Sequence, residues 1–552
     1  SIARAEAAGF DREAALSLGN LGLLYNDRGD LVRAEASYEK ALEIHQRLED
    51  WPGAANQIGN LGLLALARGD LDRAIERFHE ALGLFMQLEE VHGAANCLNC
   101  LGDLHRKRGE IERAMECFEH GLALFRDLDD RAGEALVLAN LGNLQRAAGR
   151  LGEAYATFVT VQELYRAVGD QKGVAATLTN LGNVDFARGE VAAAEARYRE
   201  ALAQNEALGF VAGAAGDHGN IGNLLVSLGS YREAQRHFEQ AIERYDRIEN
   251  PLGGALSRCH LGQLHALLGD QTAAEQCFLE AARMAEAHQS KVAIASSTAH
   301  LGGLAFVRGR IETATDYLER ARTAYDELAN ASAAANVRLL LAQIASWRGD
   351  SAGAHRELDD AHRVFEAGGF RPGIGDALWV ASGIAFDDDD LETARAAADE
   401  ALTIFESLSY RFGVAQTEVR IAEIELEQGR HAEALRHAEE AERIWSAIGV
   451  PQGRVDALGT IASALGELGR FDDAEGAFET ATALLATLDY PVGAAIWLRR
   501  RALLFARSGE LAYATELFER ASAELRRLGA GPELRRTERI WRRSGAPGVG
   551  QN

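Results

Sequence analysis

The sequence predicts an all-α fold: a solenoid of thirteen helix-turn-helix units followed by a capping helix. Three observations predict it. The chain matches itself when slid by 40 residues, a glycine punctuates each period, and every period holds two runs of helically spaced apolar residues. The glycine recurs at Gly29, Gly69, Gly109, Gly149, Gly189, Gly229, Gly269, Gly309, Gly349, Gly429, Gly469 and Gly509, and only Asp389 interrupts it. From 29 to 509 there are twelve steps of 40, hence thirteen repeats.

Two further columns give the unit its shape. Five residues past the turn stands alanine in all thirteen repeats, from Ala34 and Ala74 through Ala194 to Ala474 and Ala514. Seven residues before it stands Gly22, Gly62, Gly102, Gly142, Gly182, Gly222, Gly262 or Gly302, then Ala342, Ser382, Ala422, Ala462 and Ala502. Small residues on facing sides let two helix axes approach to roughly 8 to 10 Å. The aromatics Tyr38, Phe78, Phe118, Phe158, Tyr198, Phe238, Phe278, Phe478 and Phe518 fill the neighbouring gap. A glycine between the two runs supplies a left-handed turn at little steric cost.

Taken in order, residues 1–288 are seven regular repeats that begin inside a unit, since Ser1–Ala8 has the phase of Ala41–Leu48. An array cut there exposes an apolar end that a preceding element would cover. Residues 289–530 form divergent repeats 8 to 13. The glycine that opens first helices elsewhere (Gly133, Gly173, Gly213) is Ala293 and then Ala333, and the aromatic of repeat 8 slips to Tyr317, so irregular stacking or a hinge is expected across Ala287–Ala335. Six of the seven prolines (Pro52, Pro251, Pro372, Pro451, Pro491, Pro532) sit at or just before the start of a first helix, where a missing N–H does no harm. Residues 531–544 read as a solvated capping helix and 545–552 as a disordered tail.

These columns carry a resemblance. The Leu-Gly pair in the first helix, the glycine turn, and alanine, aromatic and alanine in the second resemble the tetratricopeptide repeat. The 40-residue length and the NLGN core resemble the long variant of Partner-of-Inscuteable-type adaptors and the repeats beside bacterial CHAT proteases and signalling NTPases. The resemblance implies a right-handed superhelix whose first helices line a groove for an extended peptide or a partner surface. It also leaves a second reading, the C-terminal sensor of a larger signalling or defence enzyme whose catalytic part precedes Ser1.

Composition narrows the function further. Lys plus Arg number 58 against 83 acids, a net charge of −25, which argues against a nucleic-acid footprint and for a neutral or basic protein or peptide partner. No apolar run is long enough to span a membrane, no signal peptide is visible, and five cysteines are no disulfide framework. A cytoplasmic, non-enzymatic scaffold without cofactor or metal is expected; no nucleophile motif, phosphate loop or triad stands out.

Cys97, Cys100 and His105 have a zinc-like spacing, but on one helix and with three ligands they read as core. His218, His260 and His300 lie near the inner face and read as groove hydrogen-bonding groups. Asp387–Asp390 reads as a solvated turn with Asp390 capping the next helix. Arg28, Arg68, Arg108, Arg188, Arg308 and Arg348, just ahead of the turn, serve either acidic ligands or the helix C-terminus. Arg499–Arg501, Arg526, Arg527, Arg535, Arg536, Arg539, Arg542 and Arg543 form a basic end that docks an acidic partner or is solvated cap.

The ligand is expected at the asparagines. Asparagine costs about 0.6 kcal/mol against alanine inside a helix, yet it recurs at Asn20, Asn60, Asn140, Asn180 and Asn220 and three residues on at Asn143, Asn183 and Asn223. Residues three apart share a helix face, and amides suit the N–H and C=O groups of an extended peptide. The expected site is Asn140, Asn143, Asn180, Asn183, Asn220 and Asn223, flanked by Asn99, Asp103, Arg106 and Arg146; bonding between neighbouring repeats is the competing role of the first column. Repeats 9 to 13 carry Leu340, Val380, Arg420, Thr460 and Arg500 there instead, so the inner wall must change. A direct check on the packing columns is Ala194→Leu, which should lower stability by about 1 to 3 kcal/mol in urea unfolding.

Overall fold

A computed structural model describes residues 11–543 except 109, 148 and 329; the expectations for Ser1–Ala8 and the 545–552 tail lie outside these. The described residues form twenty-seven helices and no strand. Thirteen hairpins run from Asp11–Asp27 with Leu31–Arg47 to Pro491–Ser508 with Leu511–Arg527, and the cap helix Gly531–Arg543 follows.

The turn of repeat 1 has a local cause. Gly29 is left-handed (φ 72°), its N–H bonds Asn26 O at 2.9 Å, and the N–H of Asp30 reaches back to Tyr25 O at 2.9 Å. Asp30 then caps the second helix by accepting from Arg33 N at 3.1 Å. A single Gly-Asp pair so ends one helix and starts the next. Asp389 takes the same left-handed backbone without being glycine (φ 65°), and Asp390 caps through Thr393 N, as the sequence indicated.

The small and aromatic columns meet inside each hairpin. A Cβ on Gly22, Gly102 or Gly222 would lie 2.5 Å from the ring of Tyr38, Phe118 or Phe238, so those glycines are where the rings sit. In repeat 8 the place is filled by the buried Leu318 against Gly302 rather than by Tyr317. The glycines that open first helices work the same way against the preceding second helix, as with Gly93 under Phe85 and Gly253 under Tyr245. At Ala293 the glycine is lost because the partner shrank too: the position matching Phe85 is Ala285. At that position the lost glycine is a volume exchange.

First helices of successive repeats pack on one another and second helices make no comparable contact, so first helices form the inner layer of a curved stack. The curvature is tight enough that the chain meets itself. Gly149 in the turn of repeat 4 faces Gly369, 220 residues or five and a half periods on, and a Cβ on Gly369 would lie 2.7 Å from Gly149 Cα. Gln271 Nε2 donates to Asp489 O at 2.7 Å, and Trp347 Nε1 to Leu528 O at 2.9 Å, across the same seam. One apolar column records the closure. Leu48, Leu128 and Val168 are 41%, 43% and 42% exposed, whereas Leu328, Leu408 and Ile448 of the next coil, seated on earlier turns, are 7%, 5% and 4% exposed. The result is a superhelix whose coils touch around an inner bore.

The cap is not solvated. Arg536 is buried and donates to Phe386 O at 2.9 Å and to Glu533 at 2.5 Å, while Arg499 pairs with Glu533. The acidic turn is not free either: Arg539 pairs with Asp389, and Arg536 lies 3.4 Å from Asp387. Both departures have one reason, since the coil brings the basic end and the acidic turn together across 150 residues.

Gly369→Ala and Gly449→Ala test the seam, because both glycines are left-handed link residues and only Gly369 has a coil against it. Each should lose about 1 kcal/mol for the backbone, and Gly369→Ala a further 1 to 3 kcal/mol for the forced separation. Equal losses in urea unfolding would show that the coils do not bear on each other.

Candidate functional site

The inner stripe of the first helices in repeats 3 to 6 (Val91–Lys107, Arg131–Ala147, Gln171–Ala187, Val211–Ser227) holds the expected residues. The structure divides them into two groups. Asn140 Nδ2 donates to Oδ1 of the buried Asn99 at 2.8 Å, joining repeats 3 and 4, and Asn183 Oδ1 accepts from Tyr198 OH at 2.7 Å. Asn143, Asn180, Asn220 and Asn223 make no hydrogen bond to any described residue. Within repeats 4 to 6 the first column therefore bonds between repeats at Asn140 and makes no hydrogen bond to a described residue at Asn180 and Asn220.

The flanking charges are arranged unequally. Asp103 binds Arg106 at 2.5 Å and Lys107 at 2.8 Å; burial pushes its carboxyl up, but Lys107 and Arg106 outweigh that and hold it below the usual range. Arg146 stands in the same place as Arg106 one repeat on. Three residues before it, where Arg106 has Asp103, stands Asn143. Arg146 accordingly forms no ion pair with any described residue, and its Nε is buried without a partner. Burial and the neighbouring Arg106 both press its guanidinium toward the neutral form. Arg106, Lys107 and Arg146 against Asp103 leave two positive charges here, in a chain of net charge −25.

The three histidines lie against second helices. His218 turns to the second helix of its own repeat, its Nδ1 2.8 Å from His237 Nδ1. His260 and His300 occupy the asparagine column but lie against Phe238 and Phe278, with ring centroids 5.6 and 5.1 Å away. Burial lowers both, His300 to about 3. Cys97 and Cys100 are pushed up to about 12 by burial, and His105 Nδ1 lies 2.6 Å from Glu110 Oε2. The arginines ahead of the turn staple repeats: Arg68 reaches Glu35 at 2.6 Å and Leu31 O at 3.2 Å, Arg308 reaches Glu275 at 2.7 Å, and Arg28 reaches Glu249 of the next coil at 3.5 Å.

In repeats 10 to 13 the wall changes as the column letters implied. Arg500 donates to Glu423 at 2.7 Å, and Arg420 to the same carboxylate at 3.3 Å. Around them Trp379, Trp445, Tyr490 and Asp456 line a cavity of about 270 Å³. Sequence reasoning did not assemble these four, because Trp445 comes from a second helix and Tyr490 from a link; Trp379 and the two arginines in the inner columns were the available signal.

Thirteen hairpins wound around a lined bore make this an all-helical repeat solenoid. The chain belongs to the tetratricopeptide repeat family, whose models match residues 13–87, 57–127, 93–165, 131–207, 214–287 and 413–487, and in a second form 460–526. Among solved structures it is similar to a Rap protein complexed with Competence and Sporulation Factor, at 16% identity and TM-score 0.48 over 64% of this chain and 98% of that one. It is also similar to BtubC (BKLC) from P. vanneervenii, at 22% identity and TM-score 0.33 over 40% and 90%. A third is the STAND protein PH0952 with a tetratricopeptide repeat sensor from Pyrococcus horikoshii, at 17% and 0.38 over 55% and 45%. No curated protein matches. Among the described residues no helix is long and apolar enough to cross a membrane.

The half-buried imidazoles of His260 and His300 set a pH dependence. An unfolded histidine titrates near 6.5, while in the fold burial holds His260 and His300 lower. The unfolded chain takes up protons that the fold refuses, so their stability contribution is full above about pH 6.5 and is lost as pH falls toward 3. Replacing both by asparagine, the residue of that column at Asn180 and Asn220, should raise the melting temperature over the parent's more at pH 5 than at pH 7.5. Equal shifts at the two pH values would assign the acid sensitivity elsewhere.

Proposed function

We propose that the chain is a non-enzymatic scaffold that binds an extended, acid-bearing peptide segment of a partner protein in the bore of repeats 3 to 6. The observation that supports this reading is Arg146, a part-buried guanidinium with no ion pair among the described residues, on the same inner stripe as amides that bond to none of them. An unpaired buried charge is costly unless something else supplies the opposite sign. A carboxylate entering the bore does so, and Asn143, Asn180, Asn220 and Asn223 then offer donors and acceptors to the backbone on either side. The chain's overall acidity favours a neutral or basic partner as a whole, and the local surplus of two positive charges selects the residue that enters.

The experiment compares two degenerate peptide pools, Ac-XXXEXXX-NH2 and Ac-XXXQXXX-NH2, on the immobilised full chain. The glutamate pool should be retained and the glutamine pool at least tenfold less, about 1.4 kcal/mol. Arg146→Gln should remove the difference. Asn143→Asp recreates the arrangement of Asp103 with Arg106; it should stabilise the fold by about 1 kcal/mol while abolishing glutamate selection. Retention of neither pool sinks the peptide reading. Equal retention of both leaves a peptide groove but removes Arg146 from it.

A further inference from the structure

The cavity in repeats 10 to 13 is separate from the bore of repeats 3 to 6, and its hydrogen-bonding groups are lopsided. Its carboxylates are engaged. Glu423 receives Arg500 and Arg420, Asp456 Oδ2 receives Tyr490 OH at 3.1 Å, the Asp456 carbonyl receives Arg500 Nη1 at 2.9 Å, and Glu533 receives Arg499 and Arg536. Three of its donors are not: Trp379 Nε1, Trp445 Nε1 and Arg420 Nε are buried with no partner. Trp347 lines the same cavity and shows the contrast, its indole N–H being taken up by Leu528 O at 2.9 Å. Leaving a buried donor unmatched is unfavourable, and folded proteins keep few such groups. Three on one cavity wall define what is missing, an acceptor with several lone pairs.

Charge and shape narrow the acceptor. Arg420 and Arg500 line the cavity together with Asp387, Glu423, Asp456 and Glu533, and Arg499 and Arg536, from outside the lining, pair with Glu533 and Asp387. Each of these carboxylates except Asp456 has an arginine partner within 3.4 Å, and burial pushes Asp456 up to about 7. The remaining lining is indole, phenol and aliphatic, from Trp379, Trp445, Tyr490, Val419 and Ile496. A volume of about 270 Å³ lies at the small end of ligand pockets, the size of one amino-acid residue rather than a protein surface. We propose that this cavity binds a small aromatic carboxylate, its oxygens accepting from Trp379, Trp445 and Arg420 and its ring lying among the indoles. The carboxylate comes either from a free acid or from the last residue of a peptide.

Isothermal titration of the full chain with four probes tests this. They are N-acetyl-L-phenylalanine, its amide, phenethylamine, and the peptide Gly-Gly-Ser-Gly-Phe with a free carboxyl. N-acetyl-L-phenylalanine or the peptide should bind, and the amide at least tenfold more weakly; binding of the peptide alone assigns a chain end as source, and of the free acid alone a metabolite. Trp379→Phe and Trp445→Phe keep a ring and remove the N–H, and each should weaken the carboxylate at least fivefold while leaving the ligand-free melting temperature unchanged or higher. If either tryptophan variant fails to fold, Arg420→Lys keeps the charge without Nε and carries the same expectation. Preference for phenethylamine, equal binding of acid and amide, or no binding of either carboxylate overturns the assignment.

Discussion

The structure depends on a missing side chain meeting an aromatic ring in each of the first seven repeats. Gly22 under Tyr38, Gly102 under Phe118 and Gly222 under Phe238 let the two helices of a hairpin close on a ring that no larger residue would admit. The glycines at the start of first helices do the same between repeats, as Gly93 does for Phe85. Because these small residues cluster on first helices, that layer contracts relative to the second and the stack curves. Curvature summed over five and a half repeats brings Gly149 against Gly369, and only a backbone without a Cβ can pass there. The bore and both sites on its wall follow from that closure.

The parts legible in the sequence are those that repeat. The turn column, the alanine column and the small column each state a local packing requirement thirteen times, so the hairpin and its order could be read from letters alone. Contacts made once were not legible. Arg536 meeting Phe386 and Asp387 requires knowing how far the coil advances per turn, and no single repeat carries that number. The same ignorance made Arg539 and Asp389 look like two solvated charges rather than one ion pair. Ala293 was misleading for a different reason, since its meaning lay in Ala285 opposite and not in its own column.

The asparagines show how one pattern can hold two roles. Identical letters at Asn140 and Asn180 end differently because repeat 3 offers Asn99 to the first, whereas the second has Ala139 in the corresponding place. Asn183 is tied down because its repeat has tyrosine in the aromatic column, Tyr198, where repeats 4 and 6 have Phe158 and Phe238 without a hydroxyl. A column read by itself thus gives position on the inner face, and the neighbouring column decides whether the amide is spent on the fold.

Electrostatics follows the same logic at shorter range. A net charge of −25 describes the outside of the chain, where second helices carry their charged stripes, and says little about a bore a few side chains wide. Inside, one substitution sets the field. Asp103 and Asn143 occupy equivalent places three residues before equivalent arginines, and the change from carboxylate to amide turns a neutralised pair into an open cation without moving the backbone. A repeat array can acquire or lose a charge-selective site in this way at almost any turn of its coil. What it cannot alter freely is the small-residue frame beneath, because every hairpin, and through the coil contacts every fifth or sixth neighbour, is built on it.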